Sequence, residues 1–304
     1  MSETAYAPAR DAVTHGAVAD GTSAARTSVA GTPAVRTPAA RTLGGEVIVG
    51  DVGGPAHIHG VHGTTGVTRW KALASGADLR GGWEAVEWAC VPPGGVSGEH
   101  RHTRTEEIYF ILSGTGEIYL DGTAHPIAPG TLLLTGLGTV HGLRNTGDCD
   151  LAWLVIEMRS PRFSEALGAT APASVSAPAH TPVPTPAPAS PEKEHPVPTA
   201  RLHDLRAERS VSPAGVFTGP LRTLALETVD ASGTVELAAD GREHMVFVLS
   251  GTGWVENGSD TAELHPGTAV TLPRGTRARI GADRGEGLEL FHAEVAVASP
   301  ESAQ

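Results

Sequence analysis

The chain has 304 residues, room for two domains of ordinary size plus tails. With 22 basic and 34 acidic side chains it carries a formal charge of −12, and no Lys or Arg run interrupts that balance. A nucleic-acid groove needs a basic stripe to displace counterions from phosphates, so no nucleic-acid partner is expected. No stretch approaches the ~18–20 apolar residues of a membrane span, and the first residues lack the apolar core of a signal peptide. A soluble, cytoplasmic protein without a membrane partner is expected. The Arg-, Ala-, Gly- and Pro-rich composition points to a GC-rich bacterial genome. Cys90 and Cys149 are too few for a disulfide framework and read as two buried free thiols.

Residues 1–43 hold Ala, Thr, Arg and Pro with almost no large apolar side chains. Such a segment cannot bury enough surface to offset its ordering entropy, and a disordered tail is expected there. A second such stretch, residues 168–199, has Pro every two or three positions in APAHTPVPTPAPASP and reads as a semi-extended linker. The folded parts are therefore expected at 44–167 and 200–298, with a short tail at 299–304.

Both folded parts read as all-β. In the first, EAVEWACV (84–91), IYFIL (108–112), EIYL (117–120), TLLLT (131–135) and LAWLVIEM (151–158) are short, rich in β-formers and bounded by Gly, Pro or Asp. Asp121-Gly122 is a hairpin signal. No helical period is sustained, apart from a possible turn at 163–167. Short strands with regular turns predict a sandwich or a small barrel.

The chain repeats itself. LSGTG at Leu112–Gly116 returns at Leu249–Gly253, PGT at Pro129–Thr131 returns at Pro266–Thr268, and Gly138-Thr139 returns as Gly275-Thr276, each time at the same offset. Three matches in one ungapped register predict two copies of one module.

The first copy carries a chemical constellation. His100 and His102 are two apart, so on a strand both imidazoles project from one face. Glu107 opens the next apolar strand, and Glu106 is its rival. A third imidazole, His141, follows a Gly-rich turn, with Asn145 four residues on. Three neutral imidazoles and one carboxylate suit a divalent first-row cation and leave a net charge near +1. Six-coordination would leave two positions open, as in a catalytic site.

These residues resemble the two motifs of the cupin superfamily. The first, G-x5-H-x-H-x3,4-E-x6-G, is matched by Gly94, His100, His102, Glu107 and Gly114. The second, G-x5-P-x-G-x2-H-x3-N, is matched by Gly130, Gly138, His141 and Asn145, with Gly136 where Pro is usual. The spacing to Gly114 favours Glu107 over Glu106. With the repeat, the resemblance implies a bicupin: two small jelly-roll barrels, the first with one metal ion held by His100, His102, Glu107 and His141. In the second copy the equivalent positions are Leu237, Ala239, His244 and Ala278, so that barrel is expected to be degenerate and structural, either packing against the first barrel or covering it.

Ligand sets of this kind are associated in the superfamily with dioxygenases, oxalate-type oxidases and decarboxylases, and isomerases of sugars or small acids. The resemblance thus implies a metal-dependent oxygenase acting on a small molecule, with an isomerase or epimerase, or a non-catalytic binder, as alternatives. Fe(II) or Mn(II) is the favoured ion, with Ni(II) or Zn(II) possible. Tyr109 shares strand parity with Glu107 and is a candidate pocket residue or general acid. His57, His59 and His62 are read as a surface loop rather than a lid or second metal site, and Trp70, Trp83, Trp88 and Trp153 as barrel core. Arg101 and Arg104 are expected in solvent. A homodimer is open, although two fused barrels can replace a dimer of single ones.

Overall fold

The computed structural model describes residues 41–44, 46–161 and 200–297. The expected tail up to residue 40, the turn at 163–167, the linker at 168–199 and the tail at 299–304 lie outside the described residues. Among the described residues, no helix is long and apolar enough to cross a membrane.

The architecture is two jelly-roll barrels, each a seven-stranded sheet facing a four-stranded one. In the first barrel the large sheet contains Ala56–His59, Val67–Ser75, Trp83–Val91, Leu151–Arg159, Thr105–Ser113 and Thr131–Thr135. Its small sheet contains Val96–Arg101, Val140–Asn145, Gly116–Leu120 and Thr123–Ile127. The second barrel repeats this plan: Arg242–Ser250, Thr268–Leu272 and Leu288–Ala296 correspond to Thr105–Ser113, Thr131–Thr135 and Leu151–Arg159 at the offset of the sequence repeat. The Asp121-Gly122 hairpin forms between Gly116–Leu120 and Thr123–Ile127, both turn residues at positive φ (46° and 82°), as a two-residue turn of that twist requires. Both LSGTG loops need glycine at Gly114 and Gly251. Each has positive φ, and a Cβ there would strike the carbonyl of Asp150 or Gly287.

Sheet membership does not follow chain order. Val47–Asp51 precedes the first barrel yet pairs antiparallel with Thr268–Leu272 of the second. Ala200–Asp204 precedes the second barrel yet pairs with Thr131–Thr135 of the first. Arg41–Leu43, read from the sequence as part of the tail, hydrogen-bonds to Val47–Asp51 as the outermost strand. The barrels thus exchange edge strands reciprocally, which covers backbone edges that would otherwise stay open.

The strand Thr105–Ser113 shows why both of its faces are apolar. Glu107, Tyr109 and Ile111 point into their own barrel, while Ile108 and Phe110 join a core shared by the two large sheets. That shared core includes Trp83, Leu132, Leu154, Met245, Phe247 and Phe291, and the rings of Phe110 and Phe291 stack at 4.7 Å. A separate apolar core fills the second barrel around Val246, Val255, Leu264 and Ile280. The second barrel is therefore the packing partner of the first.

Candidate functional site

The interior of the first barrel holds a cavity of about 300 Å³. Two adjacent strands of the small sheet and one of the large sheet carry the four residues singled out in the sequence. His100 and His141 face each other across the pairing of Val96–Arg101 with Val140–Asn145. His102 follows the first of these strands and is tied down by Gly138 N–H donating to its carbonyl at 2.9 Å. Glu107 lies on Thr105–Ser113, where its carbonyl accepts from Thr135 Oγ1 at 2.9 Å.

Their ligand atoms converge. His100 Nε2 lies 2.9 Å from His102 Nε2 and 3.1 Å from His141 Nε2. Glu107 Oε2 lies 2.8 Å from His141 Nε2 and 3.2 Å from His102 Nε2. All four atoms lie within 4.8 Å of one another, the one such group among the described residues. Glu107 Oε2 is buried, and despite these short distances neither ring is aligned to hydrogen-bond it.

The second ring nitrogens of His100 and His102 help to aim these two rings, whereas His141 Nδ1 is buried without a hydrogen-bond partner. His100 Nδ1–H donates to the Gly98 carbonyl at 3.0 Å, and His102 Nδ1–H donates to Thr105 Oγ1 at 2.8 Å. A proton on Nδ1 leaves the Nε2 lone pair directed at the common point. Lone pairs about 3 Å apart repel unless a cation sits among them. Four such atoms gathered around one point would hold a single divalent ion. The donor set fits a divalent metal ion.

Electrostatics agree. Burial pushes the Glu107 carboxyl up, but the His141 and His102 imidazoles beside it outweigh burial and hold it at about 2. Burial lowers His100 to about 4. Burial also pulls His102 down, but Glu107 more than compensates and raises it. A neutral imidazole at His100 beside the ionised carboxylate of Glu107 is the protonation state a metal ion needs of its ligands.

Other expectations sort themselves around this cluster. Tyr109 lines the cavity, its ring 5.0 Å from that of His141. Burial and the nearby Glu107 push its phenol well above the usual range, so it stays protonated. Glu106 points the other way, into the contact between barrels, where it accepts from Thr218 N and Oγ1 (both 2.8 Å) and Gly219 N (3.1 Å). Asn145 braces its own turn through Val91 O, Cys149 O and Gly147 N. Arg101 and Arg104 are exposed. Cys90 is buried as expected, but Cys149 is exposed; neither is in a disulfide.

Three readings of the sequence change. His62 is not simply a surface loop residue: its ring stacks on His100 at 3.5 Å between centroids and 6° between planes. Gly98 permits that approach, because a Cβ there would collide with the His62 carbonyl. His57 and His59 belong to the edge strand Ala56–His59. Trp153 and Trp70 do belong to the first barrel's core as expected but also line the cavity, whereas Trp83 and Trp88 belong to the core between the barrels.

Two cavity residues went unnoticed in the sequence. Glu87 is fixed by Trp70 Nε1, which donates to its Oε2 at 2.7 Å, and burial raises its pKa. Glu157 sits directly opposite Glu107 across the strand pair, and burial together with that carboxylate raises it to about 7. Their signal was present: an acidic residue at the inward parity of an otherwise apolar strand.

In the second barrel, Leu237, Ala239 and Ala278 are buried apolar groups. His244 takes the register position of Glu107, opposite Leu272 and Glu294. It hydrogen-bonds to His292 at 3.0 Å, and His292 Nδ1 to Glu227 at 2.8 Å, so it is absorbed in a local network.

Comparison with known proteins places this geometry. The model of the Cupin domain family matches residues 87–157. The oxalate-binding protein of Thermotoga maritima is 39% identical over 66 residues, which are 22% of this chain and span only 54% of that relative. Protein SchB of Streptomyces halstedii is 37% identical over 95 residues, 29% of this chain and 68% of its own length. Among solved structures, Ylba from E. coli overlays with a TM-score of 0.59 at 12% identity, covering 86% of this chain and 95% of its own; at that identity the likeness speaks for the fold alone. The chain belongs to the cupin superfamily, as a two-barrel member whose N-terminal barrel keeps the His/Glu cluster and whose C-terminal barrel has lost it.

Proposed function

We propose that His100, His102, Glu107 and His141 hold one divalent metal ion, Fe(II) or Mn(II) in preference to Ni(II) or Zn(II), and that the chain is an oxygenase of the dioxygenase type. Its substrate is a small organic molecule bound in the adjoining cavity. The observation that carries this reading is the meeting of three imidazole Nε2 atoms and one buried carboxylate oxygen beside the cavity. When bound, such an ion supplies Lewis acidity and, if redox-active, one-electron chemistry with O2. The chain's own residues do the rest. Gly98 and Thr105 orient the His100 and His102 imidazoles, Tyr109 presents a phenol that stays protonated, and Ile58, Val61 and Val155 give the cavity its apolar side.

One observation favours a second reading. Glu157, a carboxyl that lines the same cavity directly opposite Glu107, is placed to move a proton, as an isomerase or epimerase would require. Pure non-catalytic binding, which the name of the Thermotoga maritima relative suggests, is the third.

Metal analysis and oxygen uptake separate them. Protein from a metal-replete host should carry about one ion per chain, and a His141→Ala variant almost none. Fe(II)-loaded protein should consume O2 when challenged with a panel of phenols and small organic acids. Turnover that proceeds equally without O2, or with Zn(II) in place of iron, would reassign the chain to the isomerase reading. A ligand recovered unchanged would leave only binding.

A further inference from the structure

The cavity wall contains more acid than a metal site needs. Glu87 and Glu157 both line it, on the neighbouring strands Trp83–Val91 and Leu151–Arg159, in addition to Glu107. No Lys or Arg is among the lining residues, and the remaining polar groups are imidazoles, Ser97, Thr68, Tyr109 and Trp side chains. Glu87 and Glu157 thus place two carboxyl groups, and no cation, on the wall facing the His/Glu cluster. A small dicarboxylate bound through one end would set its other end against these carboxyl groups, with no Lys or Arg to meet it. An uncharged ligand bearing hydroxyls meets two acceptors instead. Trp70 holds one oxygen of Glu87 and thereby fixes the direction of that carboxyl, and its indole offers a flat apolar wall. The volume of about 300 Å³ is enough for a single substituted ring.

We propose that Glu87 and Glu157 determine specificity: they reject dicarboxylate anions and accept hydroxyl groups from an uncharged ring compound that reaches the metal ion from the cavity. This rests on the metal reading of the His/Glu cluster. It sets the chain apart in ligand chemistry from the relative named for oxalate, with which it shares 66 aligned residues.

Zn(II)-loaded full-length protein, in which no redox turnover intervenes, is titrated by calorimetry with catechol and with oxalate. The metal content of the same sample is measured in parallel. The expected result is tighter binding of catechol. In Glu87→Gln and Glu157→Gln variants, singly and together, catechol should weaken and oxalate strengthen, each by roughly tenfold in the double variant, the scale of one hydrogen bond to a charged group. If the wild type holds one zinc and binds oxalate more tightly than catechol, or if the variants hold zinc and shift neither ligand by more than about twofold, the proposal fails. If no zinc is retained, the metal reading fails first. The wild-type comparison stands even if the double variant does not fold.

Discussion

Glu106 and Glu243, equivalent positions in the two copies of the module, make the same contact in mirrored directions between the two barrels. Glu106 accepts from the backbone of Thr218 and Gly219 in the second barrel. Glu243 accepts from the backbone of Arg80 and Gly81 in the first, and from Trp83 Nε1. Both are almost fully buried, at 1% and 0% exposure. Each turns a loop of the opposite barrel inward by satisfying N–H groups that have no strand partner. The neighbouring positions have diverged: Glu107 belongs to the His/Glu cluster, and His244 stands at its place in the second barrel.

Glu106→Ala should therefore destabilise the protein by about 3 kcal/mol, because buried N–H donors lose a charged acceptor. Denaturant unfolding measures the loss. Metal content of the folded fraction should not change, whereas Glu107→Ala should lower it sharply. If Glu106→Ala removes metal as effectively, the division of labour between the two carboxylates is wrong.

The histidines of the two barrels make a matched pair for metal analysis. His141→Ala takes one of the three converging imidazoles from the cluster, and near-complete loss of bound ion is expected after dialysis. His244→Ala removes a ring whose partners are His292 and the Ala238 carbonyl, and bound ion should stay at the wild-type level. Loss of one metal equivalent in the His244 variant would show that the second barrel contributes a ligand.

The cluster itself was readable from the sequence because its members come from two short local segments. Within 100–107 and 138–145 the strand period and the turn glycines fix where each side chain points, whatever the rest of the chain does. The internal repeat likewise identified His244 as the counterpart of Glu107. The cavity walls are another matter. Glu87, Glu157, Trp70 and His62 come from separate strands and a loop, and they meet only through registers that the spacing does not encode. Irregularities at Ala72/Ala74 and Glu157/Met158 shift those registers by a residue. Val47–Asp51 also gave no local sign that its partner strand lay in the far copy of the module, since any short apolar strand can complete either barrel.

Glu157 makes the stability of the metal-free protein depend on pH. Its folded-state pKa is raised to about 7 from 4.5, so the folded form binds the proton more tightly than the unfolded chain. That contribution is fully present below 4.5 and is lost as pH rises through about 7. Glu157→Gln abolishes the titration. Relative to wild type, the variant should gain stability progressively between pH 4.5 and 7 and then level off, by roughly 1–3 kcal/mol. Thermal melts of both proteins in chelator across pH 4–8 test this. A constant difference between them would mean that Glu157 is not strained by its neighbours.

His62 tests whether the loop before the barrel belongs to the site. Its ring lies flat on His100, and Thr64 Oγ1 anchors the loop to the Val96 carbonyl at 3.1 Å. The stack shields one face of the His100 imidazole from water and restrains its rotation, but His62 contributes no atom to the converging group. His62→Ala should therefore retain one ion per chain at equilibrium in excess metal. The change should appear in kinetics: stacked rings contribute about 0.5–1.5 kcal/mol, so transfer of metal to a chelator should quicken by about 2- to 10-fold. His62→Phe keeps a ring of similar size without the nitrogens and should restore slow release. If phenylalanine fails to rescue while alanine accelerates, the imidazole nitrogens act directly on the ion, and the loop supplies a ligand rather than a cover.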